Sequence, residues 1–423
     1  MTLVSGPTAS SPWRRLLSNA LLVAVAGGFA NVLNLGVTFF IARLLQPNTY
    51  SAYSQMVGVF FVVALPGSAL SVAVVRRATY YIVRGEDDVT RRWEYRLRQR
   101  VIRAAAVGAL GSLPLAVVIA LWLGHRAWID VWLVILAGIV YAVVSVDRAL
   151  LQSRQRYSAL AGNFVVEGLV RTVFILVGTT FGVAGYGVGL LVAELLTRWH
   201  SSWLTRPEEP VDHSISLTHT GLTNELMVAF WTLGMMAILQ FIDVFTIGHA
   251  NPHGGGSYTA ISQIAKTLVY AATILSSFLL PEAALANRKG GDVVKQLGVV
   301  GGLLAVPALV LTATAALAPT LLVDVFPAQY RHAADSLLTL VVAMVALSVS
   351  TVLVTFLLGD GARLPTLWLT ACVSVGFFWI VGAHGVWHET ATRDLEVQCV
   401  VVVGLVVASG FRLRSRLRLE AAA

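Results

Sequence analysis

Tyr50-Ser51-Ala52-Tyr53-Ser54-Gln55 returns 208 residues later as Tyr258-Thr259-Ala260-Ile261-Ser262-Gln263. Upstream, Leu17-Ser18-Asn19-Ala20-Leu21-Leu22 returns 205 residues later as Leu222-Thr223-Asn224-Glu225-Leu226-Met227, and Phe40/Phe245 and Pro47/Pro252 keep that offset. The Gly254-Gly255-Gly256 stretch absorbs the three-residue change of register. In an apolar chain, two related halves point to a transporter with its site between them.

Composition sets the solvent. The chain is 57% hydrophobic and only 12% charged, about half the charge of a soluble domain, and its mean hydropathy is +0.76. Apolar runs of about 20 residues recur along it, as in a polytopic helical membrane protein. Arg14 and Arg15 precede an apolar run too long for a signal-peptide core, so the first span is expected to be retained. Cys372 and Cys399 both lie in apolar spans, which argues against a disulfide framework.

Twelve helices are expected, at about 19–43, 50–75, 101–123, 129–151, 158–179 and 183–203, then about 223–249, 257–281, 293–323, 332–358, 362–384 and 394–411. Residues 204–222 form the polar linker between two six-helix lobes, 1–203 and 223–423. Six spans per copy is an even number, so the copies run parallel. With both termini cytoplasmic, 24 of the 30 Lys and Arg residues fall inside and four outside, the asymmetry that positive-inside topology demands. The net charge of +8 is therefore topogenic, and nucleic acid is not an expected partner.

Ionisable groups deep in a span cost at least about 2.5–3.5 kcal/mol, so each needs a reason. Lys266 sits in the eighth span with Gln263 on its face, and its repeat partner is Gly58. Two readings stand: Lys266 lines a hydrated cavity and holds an anionic group, or it pairs with Asp243. Asp243, whose repeat partner is Thr38, is equally a coupling group or an interfacial residue. Glu167 and Arg171 are spaced i, i+4 in the favourable order, either neutralising each other or lining a cavity. Glu194 either pairs with Arg171 or carries a coupling proton. Asp147 and Arg148 are close enough to the inner surface to snorkel. Asn31 and Asn34 share a face of the first span, for interhelical hydrogen bonding or a water-lined cleft.

The arginine-rich segment 84–100, with Trp93, Tyr95 and Leu97 among its cations, reads as a topogenic loop with possible anionic-lipid contact. The tail from Arg412 to Arg418 reads the same way. His249/His253 and His384/His388 lack a full ligand set, so no metal is expected.

Phe39-Phe40-Ile41-Ala42-Arg43-Leu44-Leu45-Gln46-Pro47 with Tyr50 resembles the first-loop signature of Wzx-type polysaccharide flippases, in the multidrug/oligosaccharidyl-lipid/polysaccharide (MOP) exporter superfamily. The segment from Asp243 through Tyr258, Ala260 and Lys266 is similar to that family's second-half counterpart, and Leu151 to Tyr157 to its fourth-to-fifth-helix loop. Asn48 and Ser51 stand where the family pattern has glycine. The resemblance implies two lobes forming a V around a cationic cavity. It also implies a polyprenyl-diphosphate-linked glycan moved by alternating access in a bacterial inner membrane.

The leading expectation is a lipid-linked oligosaccharide flippase. Lys266, Arg171, Gln263 and Asn34 would contact substrate, and Asp243, Glu194 and Glu167 would line the ion pathway. No cofactor is expected beyond a coupling proton or sodium ion. Expected partners are membrane lipids and glycosyltransferases or a polymerase of the same pathway. The alternative on the same fold is an ion-coupled exporter of small amphipathic or cationic molecules. A glycosyltransferase or polymerase is disfavoured, because there is no Asp-x-Asp and the outside loops are short.

Overall fold

The computed structural model describes residues 12–124, 128–206, 223–251, 254–289, 293–359 and 364–422. All regular structure among them is helical. The first half holds α1 (Pro12–Leu44), α2 (Pro47–Val83), α3 (Asp87–Leu123), α4 (Trp128–Ser153), α5 (Tyr157–Thr179) and α6 (Gly182–Leu204). The second holds α7 (Thr223–Ala250), α8 (Gly255–Lys289), α9 (Val293–Leu317), a short α10 (Pro319–Val323), α11 (Leu337–Gly359), α12 (Leu364–Val381) and α13 (Trp387–Ala422). A 3-10 segment, Ala328–Ser336, leads into α11.

The two halves pack alike. α2 lies on α4, α1 on α5, α5 on α6 and α4 on α6; in the second half α8 lies on α11, α7 on α12, α12 on α13 and α11 on α13. Each long helix in one half thus meets the partner that its counterpart meets in the other, as a parallel six-helix repeat requires. The chain is a multi-pass membrane protein. Among the described residues, ten helices are long and apolar enough to cross a bilayer by length and composition. The other two long helices, α6 and α8, carry the fully buried ionisable residues Glu194 and Lys266.

Sequence sets several boundaries. Pro47 opens α2 as its first residue, where the missing N–H costs nothing. Gly124, at φ 73°, closes α3 in the left-handed conformation. Pro319 ends the expected ninth span early, at Leu317. α3 begins 14 residues before the expected span start of 101, since a helix need not end where the bilayer does. The α5–α6 hairpin closes on glycine. A Cβ on Gly178 or on Gly185 would run into the other residue's carbonyl, so only glycines allow this approach. Large apolar side chains such as Leu110, Leu121 and Phe378 point outward, as lipid-facing residues do. One apolar core runs through both halves, joining Tyr50, Met56 and Phe60 to Ile242, Tyr258 and Leu340.

Candidate functional site

In the second lobe the charges are few and wholly enclosed. Lys266 on α8 and Asp243 on α7 are both 0% exposed, and the Lys266 Nζ donates to Asp243 Oδ1 at 3.0 Å. Ser262, one turn before Lys266, donates to Asp243 Oδ2 at 2.9 Å. The ammonium also lies 4.8 Å from the centre of the Phe241 ring. Such a pair survives in hydrocarbon only because each charge has a partner and further hydrogen bonds.

A third group belongs to this site. Asp394 on α13 is also 0% exposed and lies within electrostatic reach of Asp243 and Lys266. Its Oδ1 accepts from the Gln398 amide at 3.2 Å, while Oδ2 has no hydrogen-bond partner among the described residues. Gln398 is itself fixed by donating to the Leu239 carbonyl at 3.2 Å. Only Asp243 bonds this ammonium among the described residues, leaving the cluster with one excess negative charge if both carboxylates are ionised.

The first lobe is charged differently. Arg171 on α5 bonds Glu167 at 2.6 Å and Glu194 of α6, and its guanidinium sits 5.1 Å from the centre of the Phe60 ring. Glu167 also accepts from Arg148 of α4 at 2.5 Å, and Arg148 Nε donates to Asn163 at 2.7 Å. Nearer the arginine-rich end, Asp147 receives Arg198 at 2.5 Å, Ser201 at 2.8 Å and Arg98 at 3.3 Å. Glu94 receives Arg154 at 2.5 Å. Two arginines face two glutamates in the inner part of this chain, so its charge closes to zero.

Between the lobes runs an aromatic seam. Phe61 stacks on Phe241 and on Tyr270, each at 5.4 Å between ring centres. Gly58 gives room for the Phe245 ring, which a Cβ would meet at 2.7 Å. Further contacts gather where α1 ends and α2 begins. Tyr330 donates its hydroxyl to the Leu45 carbonyl at 2.7 Å and Phe39 meets Phe326 edge-on, while at the ends of α3 and α7 Trp122 stacks on His249 at 5.4 Å. Gly256, at the start of α8, lies so close to the Pro47 backbone that a Cβ would overlap it.

The structure brings the sequence-flagged residues into two groups, Lys266 with Asp243 and Arg171 with Glu167 and Glu194. For Lys266 it places the pairing with Asp243, not an open cavity wall. Gln263 is buried one turn from Lys266, and Asn34 is half-buried on α1, its carbonyl accepting from Thr38. Asp147 and Arg148 do not snorkel. Both are buried, because α3, α5 and α6 bring Arg98, Glu167, Asn163 and Arg198 to meet them. His253 and residues 207–222, most of the linker, lie outside the described residues, as does the side chain of Lys289.

Asp394 was missed because it is the first residue of the expected twelfth span, 394–411, where a carboxylate reads as reaching water. A signal was there. Thr390, Asp394 and Gln398 fall at i, i+4 and i+8 and continue into Val401 and Leu405, and all five are at most 1% exposed.

No known family's sequence pattern matches the chain, and no curated protein does. Solved structures do. A multidrug resistance MATE family transporter of the MOP superfamily, in an inward-facing conformation, matches with a TM-score of 0.65 at 14% identity, over 96% of this chain and all of that one. A MATE protein in a straight conformation matches with a TM-score of 0.67 at 13% identity, over 97% of each chain. A MOP superfamily transporter from Pyrococcus furiosus, described by the reverse polarity of its binding pocket, matches with a TM-score of 0.63 at 15% identity, also over 97% of each. The chain has the two-lobed fold of MOP-superfamily transporters.

Proposed function

We propose that this protein is an alternating-access exporter, and that it carries an anionic lipid-linked glycan precursor to the far leaflet. One observation carries this reading. Of the four carboxylates in the two inner clusters, Glu167, Glu194 and Asp243 are each held by a cation inside their own lobe, which leaves Asp394 alone to attract a cation. The arginine-rich end, by contrast, offers Arg96, Arg100 and Arg103 without a carboxylate among the described residues. A diphosphate head cannot cross about 30 Å of hydrocarbon unaided, so a two-lobed transporter with unpaired cations on its inner face suits it. With that end cytoplasmic, the seam at Leu45, Pro47 and Gly256 is a closed outer gate.

Asp394 is the coupling group in this reading. Its unbonded Oδ2 beside the Lys266–Asp243 pair is a place for a proton or a sodium ion, and either would relieve the excess negative charge. Occupancy would alter the α7–α8–α13 packing and so bias the gate.

The Phe61–Phe241–Tyr270 stack and the MATE neighbours favour a second reading, export of small amphipathic cations. Two assays on the same reconstituted vesicles separate them. Flipping of a fluorescent polyprenyl-diphosphate oligosaccharide, with no efflux of an aromatic cationic dye, is the expected result. Dye efflux without lipid flipping would reverse the assignment.

A further inference from the structure

Helix α3 is 37 residues long, about 55 Å at 1.5 Å per residue, against a hydrocarbon core of about 30 Å. Its first turns therefore stand outside the hydrocarbon, yet they are firmly oriented. Trp93 and Leu97 pack against Ala78, Tyr81 and Leu150. Glu94 is tied to Arg154 at 2.5 Å and Arg98 to Asp147 at 3.3 Å. These contacts fix the rotation of the helix.

Away from that packed side lies a cleft of about 360 Å³ lined by Arg92, Tyr95, Arg96, Gln99, Arg100 and Arg103. The four arginines are spaced i, i+4, i+8 and i+11, so they form one stripe. Arg96, Arg100 and Arg103 meet no carboxylate among the described residues. Like charges at this spacing repel, and topogenesis needs only their number, not their alignment. Below Arg103 the same stripe turns apolar without a break. Val107, Leu110 and Leu121 continue it and are 71%, 77% and 75% exposed. A cationic cleft at headgroup depth thus sits directly on a lipid-facing track.

We propose that this stripe is a binding site for one anionic phospholipid, its phosphate held by Arg96, Arg100 and Arg103 and an acyl chain lying along Val107 and Leu110. Guanidinium forks match phosphate oxygens in pairs, which ammonium groups do not. The continuous apolar track selects an intact lipid over a soluble phosphate.

Native mass spectrometry of the delipidated full-length protein, titrated with phosphatidylglycerol or phosphatidylcholine, tests this. R96A/R100A/R103A is expected to lower phosphatidylglycerol affinity about tenfold or more, as loss of charge-assisted hydrogen bonds implies, and to leave phosphatidylcholine unchanged. The corresponding triple lysine variant should recover only part of the loss, and R84A/R91A on the same segment should recover wild-type binding throughout. Thermal unfolding of each variant reports that the fold is kept. Equal binding by the triple alanine variant overturns the site. So does full rescue by lysine, which would mean diffuse charge alone. Equal affinity for water-soluble glycerophosphoglycerol would overturn the role of the apolar track, and with it the assignment to lipid.

Discussion

The two lobes share a fold but handle buried charge in opposite ways. In the first, Arg148, Glu167, Arg171 and Glu194 form a chain in which every charge has a partner of opposite sign. In the second, Lys266 serves Asp243 directly and Asp394 only at a distance. A closed chain stiffens the helices it joins and has little reason to change. An under-neutralised cluster responds to any added cation. In the proposed function the first lobe is therefore the stiffer body and the second the sensor.

The largest effect is expected from Lys266→Ala. It leaves Asp243 and Asp394 buried without a cation, which costs about 3–5 kcal/mol, read as a large drop in the thermal unfolding midpoint in detergent. Adding Asp243→Asn should recover much of that stability without restoring ion-coupled transport. If the single variant is as stable as wild type, the cluster is not the tight unit described.

Next comes Gly256→Ala. The added methyl meets the Pro47 backbone, which cannot turn aside as a side chain would, so overpacking of about 1–3 kcal/mol falls on the closed seam alone. Cysteine probes placed beside Tyr330 should then label faster. Unchanged labelling would mean that the seam is not a gate.

Within the first lobe, a double-mutant cycle on Arg171 and Glu194 should give a coupling of about 0.5–3 kcal/mol. Glu167 would soften it, since Arg148 still holds that carboxylate. A coupling near zero would remove the claim of rigidity.

The smallest effect on stability, and the sharpest on function, is expected for Asp394→Asn. The amide keeps the shape and removes a charge that has no close cation, so unfolding should shift by about 1 kcal/mol or less. Transport should lose its dependence on pH or sodium. Retained dependence would move the sensor elsewhere, with Glu194 the next group to test.

How much of this was legible beforehand follows from what each residue needs. The repeat of Tyr50–Gln55 as Tyr258–Gln263 announced the lobes, and apolar length announced most helices. Arg171 with Glu167 was legible as one of two readings, because their spacing lies within one helix. Lys266 with Asp243 remained one of two readings, because their meeting depends on how α7 and α8 face each other. Asp147, Arg148 and Asp394 were undervalued for one reason. Each lies near a span end, where distance to water looks short along the sequence. Neighbouring helices, invisible in a linear reading, are what close that route.

The Leu45 carbonyl is among the groups at the C-terminal end of α1, where a helix runs out of its own donors. Here the opposite lobe supplies them, through Tyr330 at 2.7 Å and Gln329 at 3.4 Å. In the proposed alternating-access cycle the lobes part here, and only water can replace those donors. The gate is consequently a hygrometer as well as a hinge: lowering water activity with an excluded osmolyte should favour the shut form, and wetting of that one carbonyl should accompany every opening.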